Sequence, residues 1–367
     1  MKILLLGEYS NVHWTLAEGL RELGHNVTVV SDGDVWKNYK RDINLKRHFD
    51  KPFSALRYLK DVVKLLPKLR GYDVVQIINP MFLELKAERI RPFYQYLRRH
   101  NKKIIMAAFG MDYYWVKTCL DCKTFRYSDF NIGSWIRHNE SNDLYIRDWL
   151  HGEKGRLNQW IAQDCDGIVT GLYEYDACYR PIFPQKTCFI PFPINPENVT
   201  SLQGHPEYNG IRFFIGIQRE RSEYKGTNIM LRALERLKEK YPERMEIVRV
   251  ESVPFATYEK LMNTSDVLLD QLYGYTPAMN ALLAMCKGLV TVGGGEEEGY
   301  ELLGEKELRP TINVQPNEED VFIQMEKRLL QHPENLPILS AQSKKYVQKH
   351  HHYVKVAQKY IDFWSTC

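Results

Sequence analysis

The stretch that decides the fold is residues 2–31, KILLLGEYSNVHWTLAEGLRELGHNVTVVS. It opens with a short apolar run of the kind that parallel sheets bury on both faces. Apolar positions then recur at helical spacing from His13 to Leu23, and Gly24 follows as a helix-ending residue. Asn26 to Ser31 is a second strand. Such a strand–helix–strand unit predicts a parallel sheet with a right-handed crossover.

The same alternation continues along the chain, and its interruptions mark the domain organisation. A length of 367 residues corresponds to roughly two domains. Residues 113–150 are irregular and rich in Tyr, Trp, Asp and Asn, which is typical of a long insertion. Residues 189–196, FIPFPINP, form an extended linker, and a second strand–helix series begins behind them. We predict an N-terminal domain over residues 1–192, including the insertion, a second domain over 193–350 and a C-terminal helix over 351–367.

The predicted fold class is therefore α/β, with two Rossmann-like domains facing across a cleft. The cleft is the default ligand site of such a protein. Hydrophobic residues make up 44% of the chain and charged residues 26%, which excludes wholesale disorder. No apolar run is long enough to span a membrane, and the seven cysteines lack the spacing of a disulfide framework. We expect a cytoplasmic protein.

Common catalytic motifs are missing from the sequence. The patterns GxGxxG, GxxxxGK[ST], HExxH and GxSxG do not occur at the expected places, which argues against a common dehydrogenase, P-loop NTPase, zinc protease or serine hydrolase. Asp32-Gly33-Asp34 follows the second strand as a turn, and Cys119 and Cys122 form a single CxxC without a second pair. We predict no metal site and no cofactor.

The net charge of +4 is unevenly distributed. Residues 37–103 hold 18 Lys and Arg against 6 Asp and Glu. Part of this charge lies on a predicted helix, Phe53 to Leu69, which combines apolar residues with four basic ones, Arg57, Lys60, Lys64 and Lys68. The excess favours an anionic membrane surface or a phosphorylated acceptor as partner, although a helix-rich surface can carry excess lysine for solubility alone. We expect no nucleic acid, because no recognised binding motif accompanies the charge.

Three loops of the second domain are candidates for binding phosphate. In the first loop, Gly216 ends a strand and Arg219 and Lys225 can pair with diphosphate oxygens. In the second, Thr276 precedes a helix whose first turn offers free amides. The third is a run of glycines, 293–295, that lets the backbone approach a ligand. Solvated charge and an ordinary tight turn are the alternatives for these features.

With these loops in place, the chain resembles glycosyltransferases of the GT-B fold, and most closely the bacterial family 4 (group 1) enzymes of surface-polysaccharide clusters. The resemblance covers nearly the whole chain, and order and spacing carry it more than any single motif. It rests on the opening strand–helix unit from Gly7 through His13 to Gly24-His25-Asn26-Val27, on Lys225-Gly226 behind a strand that ends in Gly216, and on residues 280–290, NALLAMCKGLV.

The resemblance implies an activity and its partners. Such an enzyme moves a sugar from a UDP- or GDP-linked donor to a hydroxyl of a glycan, here a lipid-linked one, with retention at the anomeric carbon. It needs no cofactor beyond the donor and works in the cytoplasm or on the inner face of the membrane. It also implies that the C-terminal helix crosses back to the first domain.

The resemblance further implies residue roles. His13 is the expected general base and Asp112 a second catalytic or positioning residue, with Tyr9 and Asn11 on the acceptor side; the alternatives are a polar helix-start residue and a helix cap. The family's two glutamates fall here on Tyr275 and Leu283. Either neighbouring polar groups replace them, or the donor is held differently, or the activity has been lost. The expected donor sugar and nucleotide contacts are Tyr275, Asn280, Gln271, Gly294, Gly295 and Glu297, with Asp270 as a further polar substitute.

Two other functions remain open from the sequence. A sugar-nucleotide epimerase of the same fold would act on one substrate without an acceptor. A degenerate module would bind a partner or glycan without catalysis.

Overall fold

The structure is a computed structural model that describes residues 1–35, 37–200, 202–205, 207–218, 221–253 and 255–367. It contains two compact units. The first comprises Met1–Thr118, Leu144–Pro193 and Tyr353–Cys367, and the second comprises Cys119–Asp143 and Ile194–His352.

The elements follow one another in strand–helix alternation over most of the chain. Up to Pro193 they are β1 (Lys2–Leu6), α1 (Val12–Glu22), β2 (Asn26–Ser31), β3 (Ile43–Asn44), α2 (Ser54–Leu65), β4 (Val74–Ile77), α3 (Ala87–His100), β5 (Lys103–Ala108), α4 (Tyr113–Cys119), β6 (Asn131–Ile132), β7 (Trp135–Ile136), α5 (Glu140–Ile146), α6 (Glu153–Asp164), β8 (Gly167–Thr170), α7 (Tyr173–Tyr179) and β9 (Thr187–Phe189). Beyond it they are β10 (Ile211–Ile217), α8 (Ser222–Lys225), α9 (Thr227–Lys240), β11 (Met245–Glu251), α10 (Phe255–Met262), β12 (Val267–Leu269), α11 (Met279–Lys287), β13 (Val290–Gly293), α12 (Glu297–Leu303), β14 (Thr311–Asn313), α13 (Glu318–Met325), α14 (Asn335–His350) and α15 (Tyr353–Thr366).

The first unit is built on a seven-stranded parallel sheet in the order β3-β2-β1-β4-β5-β8-β9. The interior strand β1 pairs with β2 on one side and β4 on the other, and Ile3 to Leu6 are buried. Burial on both faces is what the unbroken apolar run of β1 predicts. Helix α15 packs against α1: a Cβ on Gly19 would lie only 2.4 Å from the carbonyl oxygen of Tyr353. The C-terminal helix therefore belongs to the first unit, as predicted.

The second unit is built on a five-stranded parallel sheet in the order β11-β10-β12-β13-β14. Its core brings together the inward side chains of the sheet and of α9 and α13, among them Phe213, Leu234 and Val321. The predicted α/β class with two Rossmann-like parallel sheets is thus confirmed.

Residues 119–143 belong to the second unit, whereas we predicted that the whole stretch 113–150 is irregular and belongs to the first domain. The stretch also contains helices α4 and α5. We call residues 119–143 the inserted segment. It contains the two-stranded antiparallel β6–β7 hairpin, and its packing depends on contacts with residues more than 90 positions away. Local sequence patterns hold no information about such contacts.

Candidate functional site

The carboxyl ends of the second unit's strands bring three predicted loops together. Strand β12 pairs with β10 and β13 in parallel register, so Gly216, Asp270 and Gly293 all lie near one edge of the sheet. Open α/β sheets bind their ligands at this edge. The side chains and backbone groups that occupy it therefore form the candidate donor site.

A short chain of polar side chains crosses this edge. The Asn280 amide donates to Asp270 Oδ1 at 2.8 Å, and the Tyr258 hydroxyl donates to Asn280 Oδ1 at 3.1 Å. Burial raises the pKa of Asp270, and the charge of Lys225 and the bond from Asn280 oppose that rise. Lys225 also fixes the neighbouring loop through its backbone, because its carbonyl accepts from the Leu272 amide at 3.0 Å. The predicted residues Lys225 and Asn280 thus both act on one half-buried carboxylate, that of Asp270.

The predicted glycines have a packing role. A Cβ on Gly294 would lie 2.3 Å from the Gly274 carbonyl oxygen, and one on Gly216 would lie 2.5 Å from the Tyr258 ring. The Gly295 amide donates to Asn313 Oδ1 at 3.0 Å. Two loops of this edge therefore approach each other more closely than any side chain would allow.

The remaining predicted donor contacts lie around the same two loops. The carbonyl of Gln271 is 3.0 Å from where a Cβ on Gly293 would stand, and the Thr276 methyl group fits against Gly299 in the same way. Arg219 lies outside the described residues, so its assignment to the diphosphate stays a prediction.

The inserted segment covers Tyr275. The Tyr275 hydroxyl accepts from the Arg126 amide at 2.7 Å, and its ring lies 4.9 Å from the Tyr127 ring and 5.6 Å from the Phe125 ring. Only 1% of Tyr275 is exposed. A donor contact through this side chain would require residues 125–127 to move first.

The inserted segment also satisfies a buried carboxylate, that of Glu296. Tyr127 donates to Glu296 Oε1 at 2.6 Å, Gln315 donates to the same oxygen at 2.8 Å, and Arg126 pairs with Oε2 at 2.8 Å. Burial alone would raise the pKa of Glu296, but these donors together hold it below its usual value. The predicted residue Glu297 instead lies exposed at the start of α12 and pairs with Arg309.

Three cations act on the carboxylate of Asp129, which lies in the inserted segment. The Tyr224 hydroxyl donates to Asp129 Oδ2 at 2.6 Å. Burial raises the pKa of Asp129, while the Tyr224 bond and the charges of Arg137, Arg221 and Lys225 oppose the rise. We call Arg137, Arg221 and Lys225 the cation cluster.

Arg137 joins the inserted segment to α8. Its guanidinium lies 3.5 Å from the centre of the Tyr273 ring and donates to the carbonyls of Glu223 and Asp129, each at 2.7 Å. Sequence reasoning missed Asp129 and Arg137, because their only signal was the polar and aromatic character of the insertion. That character does not indicate which sheet the insertion packs on.

In the first unit, His13 is enclosed. Its Nδ1 lies 2.7 Å from the Gly7 carbonyl oxygen and its Nε2 lies 3.2 Å from the Gln76 amide nitrogen. Burial lowers the pKa of His13 to about 4, so the ring is neutral at physiological pH. The neutral tautomer that satisfies both contacts carries its proton on Nδ1 and accepts at Nε2. A role as general base would therefore require Gln76 to leave.

Glu8 lies four residues before α1, the helix that contains His13. Its two oxygens accept from the backbone amides of His13 at 3.2 Å and Trp14 at 2.9 Å. Burial raises the pKa of Glu8 to about 8, and the two amide donors only partly oppose this effect. Glu8, which is not among the predicted site residues, is thus a carboxyl group that is largely protonated at neutral pH.

A pocket opens beside Glu8 at the carboxyl ends of β1, β2 and β4. Its lining includes the predicted residue Tyr9 together with Tyr58, Asp32, Glu84 and Glu8. Burial and the neighbouring Asp32 raise the pKa of Glu84, and Arg47 opposes them. The polar groups of this pocket are mainly hydrogen-bond acceptors and tyrosine hydroxyls.

Two further predicted residues lie directly before helices. Asn11 adopts a left-handed conformation, φ 68°, directly before α1 and donates to Thr15 Oγ1 at 3.2 Å. Asp112 is fully buried; it accepts from the Trp115 amide at 2.8 Å, at the start of α4, and from the Tyr179 hydroxyl at 2.7 Å. Burial raises the pKa of Asp112 to about 6. This geometry favours the helix-capping alternative for Asp112.

The Asp32-Gly33-Asp34 motif forms a turn and an ion pair. Asp32 accepts from the Asp34 amide at 3.0 Å, and Asp34 pairs with Lys37 at 2.7 Å. Within the described parts of the chain, no group of three or more His, Cys, Asp or Glu side chains is arranged to hold a metal ion. Nor does any helix among them combine the length and apolar character that crossing a bilayer requires.

Comparisons with known proteins identify the fold. No protein-family model matches the sequence, and no curated protein matches it. Among solved structures, sucrose-phosphate synthase from Thermosynechococcus elongatus matches with a TM-score of 0.62 at 12% identity, over 100% of this chain and 99% of that one. HepE of Anabaena in complex with UDP and glucose matches with 0.61 at 12%, over all of both chains. WaaG, a glycosyltransferase involved in lipopolysaccharide biosynthesis, matches with 0.56 at 14%, over 99% of each chain.

These structural neighbours are glycosyltransferases of the GT-B fold, and the full coverage confirms that fold for this chain. At identities of 12–14% the likeness establishes the fold alone.

Proposed function

We propose that this chain is a glycosyltransferase that moves a sugar from a nucleotide-diphosphate sugar to a hydroxyl acceptor. The observation that carries the proposal is the cation cluster near the carboxyl ends of the second unit's strands. The structural neighbours of the fold include a complex with UDP and glucose, which supports the proposal. A diphosphate needs several cations in one place, and the charge of Lys225 already acts on the carboxylates of both Asp129 and Asp270.

The chemistry requires the site to stabilise the charge that builds up on the departing diphosphate. Guanidinium and ammonium groups held in a partly buried site do this well, because they are oriented before the reaction begins. Lys225 and Arg221 are the proposed contacts to the diphosphate, together with Arg219. Arg137 holds α8 in place through the Glu223 carbonyl.

The family's paired glutamates need a replacement in this proposal. Asp270 and Asn280 are the proposed substitutes, since they form a hydrogen-bonded pair at the same edge as Lys225. A carboxylate and an amide can accept hydrogen bonds from sugar hydroxyls, which Tyr275 and Leu283 cannot do in the same way.

For the acceptor, we propose the pocket of the first unit. Its carboxyl groups and tyrosine hydroxyls suit a ligand rich in hydroxyl groups, such as a glycan. The resemblance to family 4 supports a lipid-linked glycan of bacterial surface polysaccharide synthesis, and retention of anomeric configuration. Proton NMR of the first product formed would show its anomeric configuration directly.

The decisive first experiment is a thermal-shift screen of the full chain against UDP, GDP, CMP and ADP. A ligand at about 100 times its dissociation constant stabilises the native state by about 2.7 kcal/mol, which is easily measured. We expect stabilisation by UDP or GDP, and its absence with all four nucleotides would overturn the proposed donor class.

The next experiment supplies the matching nucleotide sugars and measures release of free nucleotide with and without glycan acceptors. Acceptor-dependent release supports transfer. Conversion of the donor to a stereoisomer without an acceptor would establish an epimerase instead. Nucleotide binding without turnover of any donor would establish a binding module.

A further inference from the structure

Helix α2 of the first unit carries apolar side chains on two opposite faces, one buried and one exposed. Tyr58, Val62 and Leu65 are buried against the first unit. On the opposite side Phe53, directly before the helix, is 78% exposed, Leu56 is 65% exposed and Val63 is 50% exposed. Single exposed apolar residues are ordinary, but three at helical spacing on one outward face form a patch.

Three cations share that outward face. Arg57, Lys60 and Lys64 are exposed and alternate with the apolar residues at spacings of three and four. In the part of the chain that the structure describes, none of these three forms an ion pair, whereas Arg98 on the neighbouring basic helix α3 pairs with Asp164 and Asp166. We call Phe53, Leu56, Arg57, Lys60, Val63 and Lys64 the outward face of α2.

The patch extends beyond the helix on its N-terminal side. Phe49 is 66% exposed and Lys51 is exposed as well. The acidic residue of the helix, Asp61, lies on the flank of the outward face, between it and the buried side. The outward face itself is therefore apolar and positively charged throughout.

We propose that the outward face of α2 is a docking surface for a bilayer that contains anionic phospholipids. An interfacial helix places Phe, Leu and Val among the upper acyl chains while Lys and Arg reach the anionic headgroups. Charge complementarity favours this occupant over a protein surface, because long cations interleaved with apolar side chains suit headgroups and chains that rearrange around them. Within the basic stretch 37–103, the membrane-binding part is thus a single helix face. Its binding to lipid does not depend on glycosyl transfer.

The test is sedimentation of the full chain with vesicles of phosphatidylcholine alone or mixed with phosphatidylglycerol. We expect binding that requires phosphatidylglycerol and weakens as salt is added. Two triple variants separate the contributions: Phe53→Ser, Leu56→Ser and Val63→Ser remove the apolar set, and Arg57→Gln, Lys60→Gln and Lys64→Gln remove the charge. Each is expected to lower the partition constant at least about tenfold.

A matched control removes the same charge elsewhere on the first unit. Lys86→Gln, Arg89→Gln and Arg99→Gln change three exposed cations at or within α3 and should leave binding within about twofold. An equal loss in this control would show attraction by net charge alone and overturn the proposal. Full binding by the apolar variant would overturn it too.

Fold integrity and self-association are checked on the same samples. Circular-dichroism melting confirms that the variants are folded, which their exposed positions favour. A wild-type dimer that the apolar variant converts to a monomer would show that a second copy covers this face, and would overturn the lipid assignment. Failure of the wild-type chain to bind phosphatidylglycerol vesicles would do the same.

Discussion

In both sheets, carboxyl groups lie near the carboxyl ends of the strands, but their electrostatic surroundings are opposite. We call these places the first edge, in the first unit, and the second edge, in the second unit. At the first edge, burial raises the pKa of Glu8 to about 8, and Asp34 adds to the rise. At the second edge, burial also raises the pKa values of Asp129 and Asp270, but Lys225 opposes the rise in both. The first edge thus resists negative charge, whereas the second carries cations able to accept it.

This difference indicates which ligand each edge can hold. A diphosphate brought to the first edge would meet Glu8, Asp32 and Glu84, whereas at the second it would meet the cation cluster. A neutral, hydroxyl-rich ligand suits the first edge. The following changes are designed to break or sharpen this contrast.

The largest effect is expected from Lys225→Ala. Loss of the cation shared by Asp129 and Asp270 should lower donor turnover at least tenfold, and on the order of 100-fold if Lys225 contacts the leaving diphosphate. Nucleotide affinity by calorimetry and turnover by nucleotide release measure the effect. The control is Lys260→Ala, an exposed lysine on α10. Near-normal turnover in the Lys225 variant would remove the diphosphate assignment.

The next largest effect is expected from Glu8, at the first edge, which should make the stability of the protein depend on pH. Between its ordinary pKa of 4.5 and the raised value of about 8, native Glu8 binds a proton more tightly than unfolded Glu8 does. Stability is therefore lost as pH rises through this interval, at up to about 1.4 kcal/mol per pH unit.

His13 acts in the opposite direction and at lower pH. Its pKa falls from 6.5 to about 4, so its contribution to stability grows as pH rises through that interval and is complete above it. The test therefore uses pH 6.5 to 8, where we expect Glu8 to lower the free energy of unfolding by about 2 kcal/mol.

Glu8→Gln should flatten that part of the curve, while Glu22→Gln, at the exposed end of the same helix, should keep the wild-type slope. Urea unfolding at several pH values measures both. An unchanged slope in the Glu8 variant would contradict the raised pKa.

A smaller effect is expected from Tyr127→Phe. The change removes the 2.6 Å donor to the buried Glu296 carboxylate and should lower the free energy of unfolding by about 1.5 kcal/mol. Tyr208→Phe is the control, because its hydroxyl makes only a 3.4 Å contact with the Glu243 carbonyl. Equal stability of both variants would mean that the inserted segment does not depend on Glu296.

The smallest effect is expected from Glu297→Ala. This exposed carboxylate pairs with Arg309 at the surface, and such pairs contribute less than about 1 kcal/mol. Nucleotide affinity should stay within about twofold of the wild type. A large loss would restore Glu297 as a donor contact and would extend the binding edge to the start of α12.

Several helices could be predicted from the sequence, and the residues at which they end have physical reasons. Periodicity predicted a helix over Phe53 to Leu69, and α2 ends at Leu65 because Pro67 allows only a short 3-10 turn beyond it. The predicted C-terminal helix over 351–367 is α15, which begins at Tyr353. It is separated from α14 where the His351 carbonyl accepts from the Ile194 amide at 2.6 Å.

The candidate site was predictable only in part. Lys225 and Asn280 were found because loops at the ends of parallel strands converge wherever such a sheet forms. The roles of Tyr275 and Glu296 could not be found, because both depend on residues 125–127. Likewise, the enclosure of His13 depends on Gln76, which lies 63 positions further along the chain.

The sequence by itself determined that the chain forms two parallel sheets, that strands and helices alternate along it, and that α2 combines basic and apolar residues. These follow from the spacing of apolar residues and from glycine and proline, which act within a few residues. Only the tertiary structure decided that residues 119–143 pack on the second unit, that His13 is neutral and enclosed, and that Glu8 holds its proton. Burial and charge proximity control those outcomes, and both arise from residues distant in the chain.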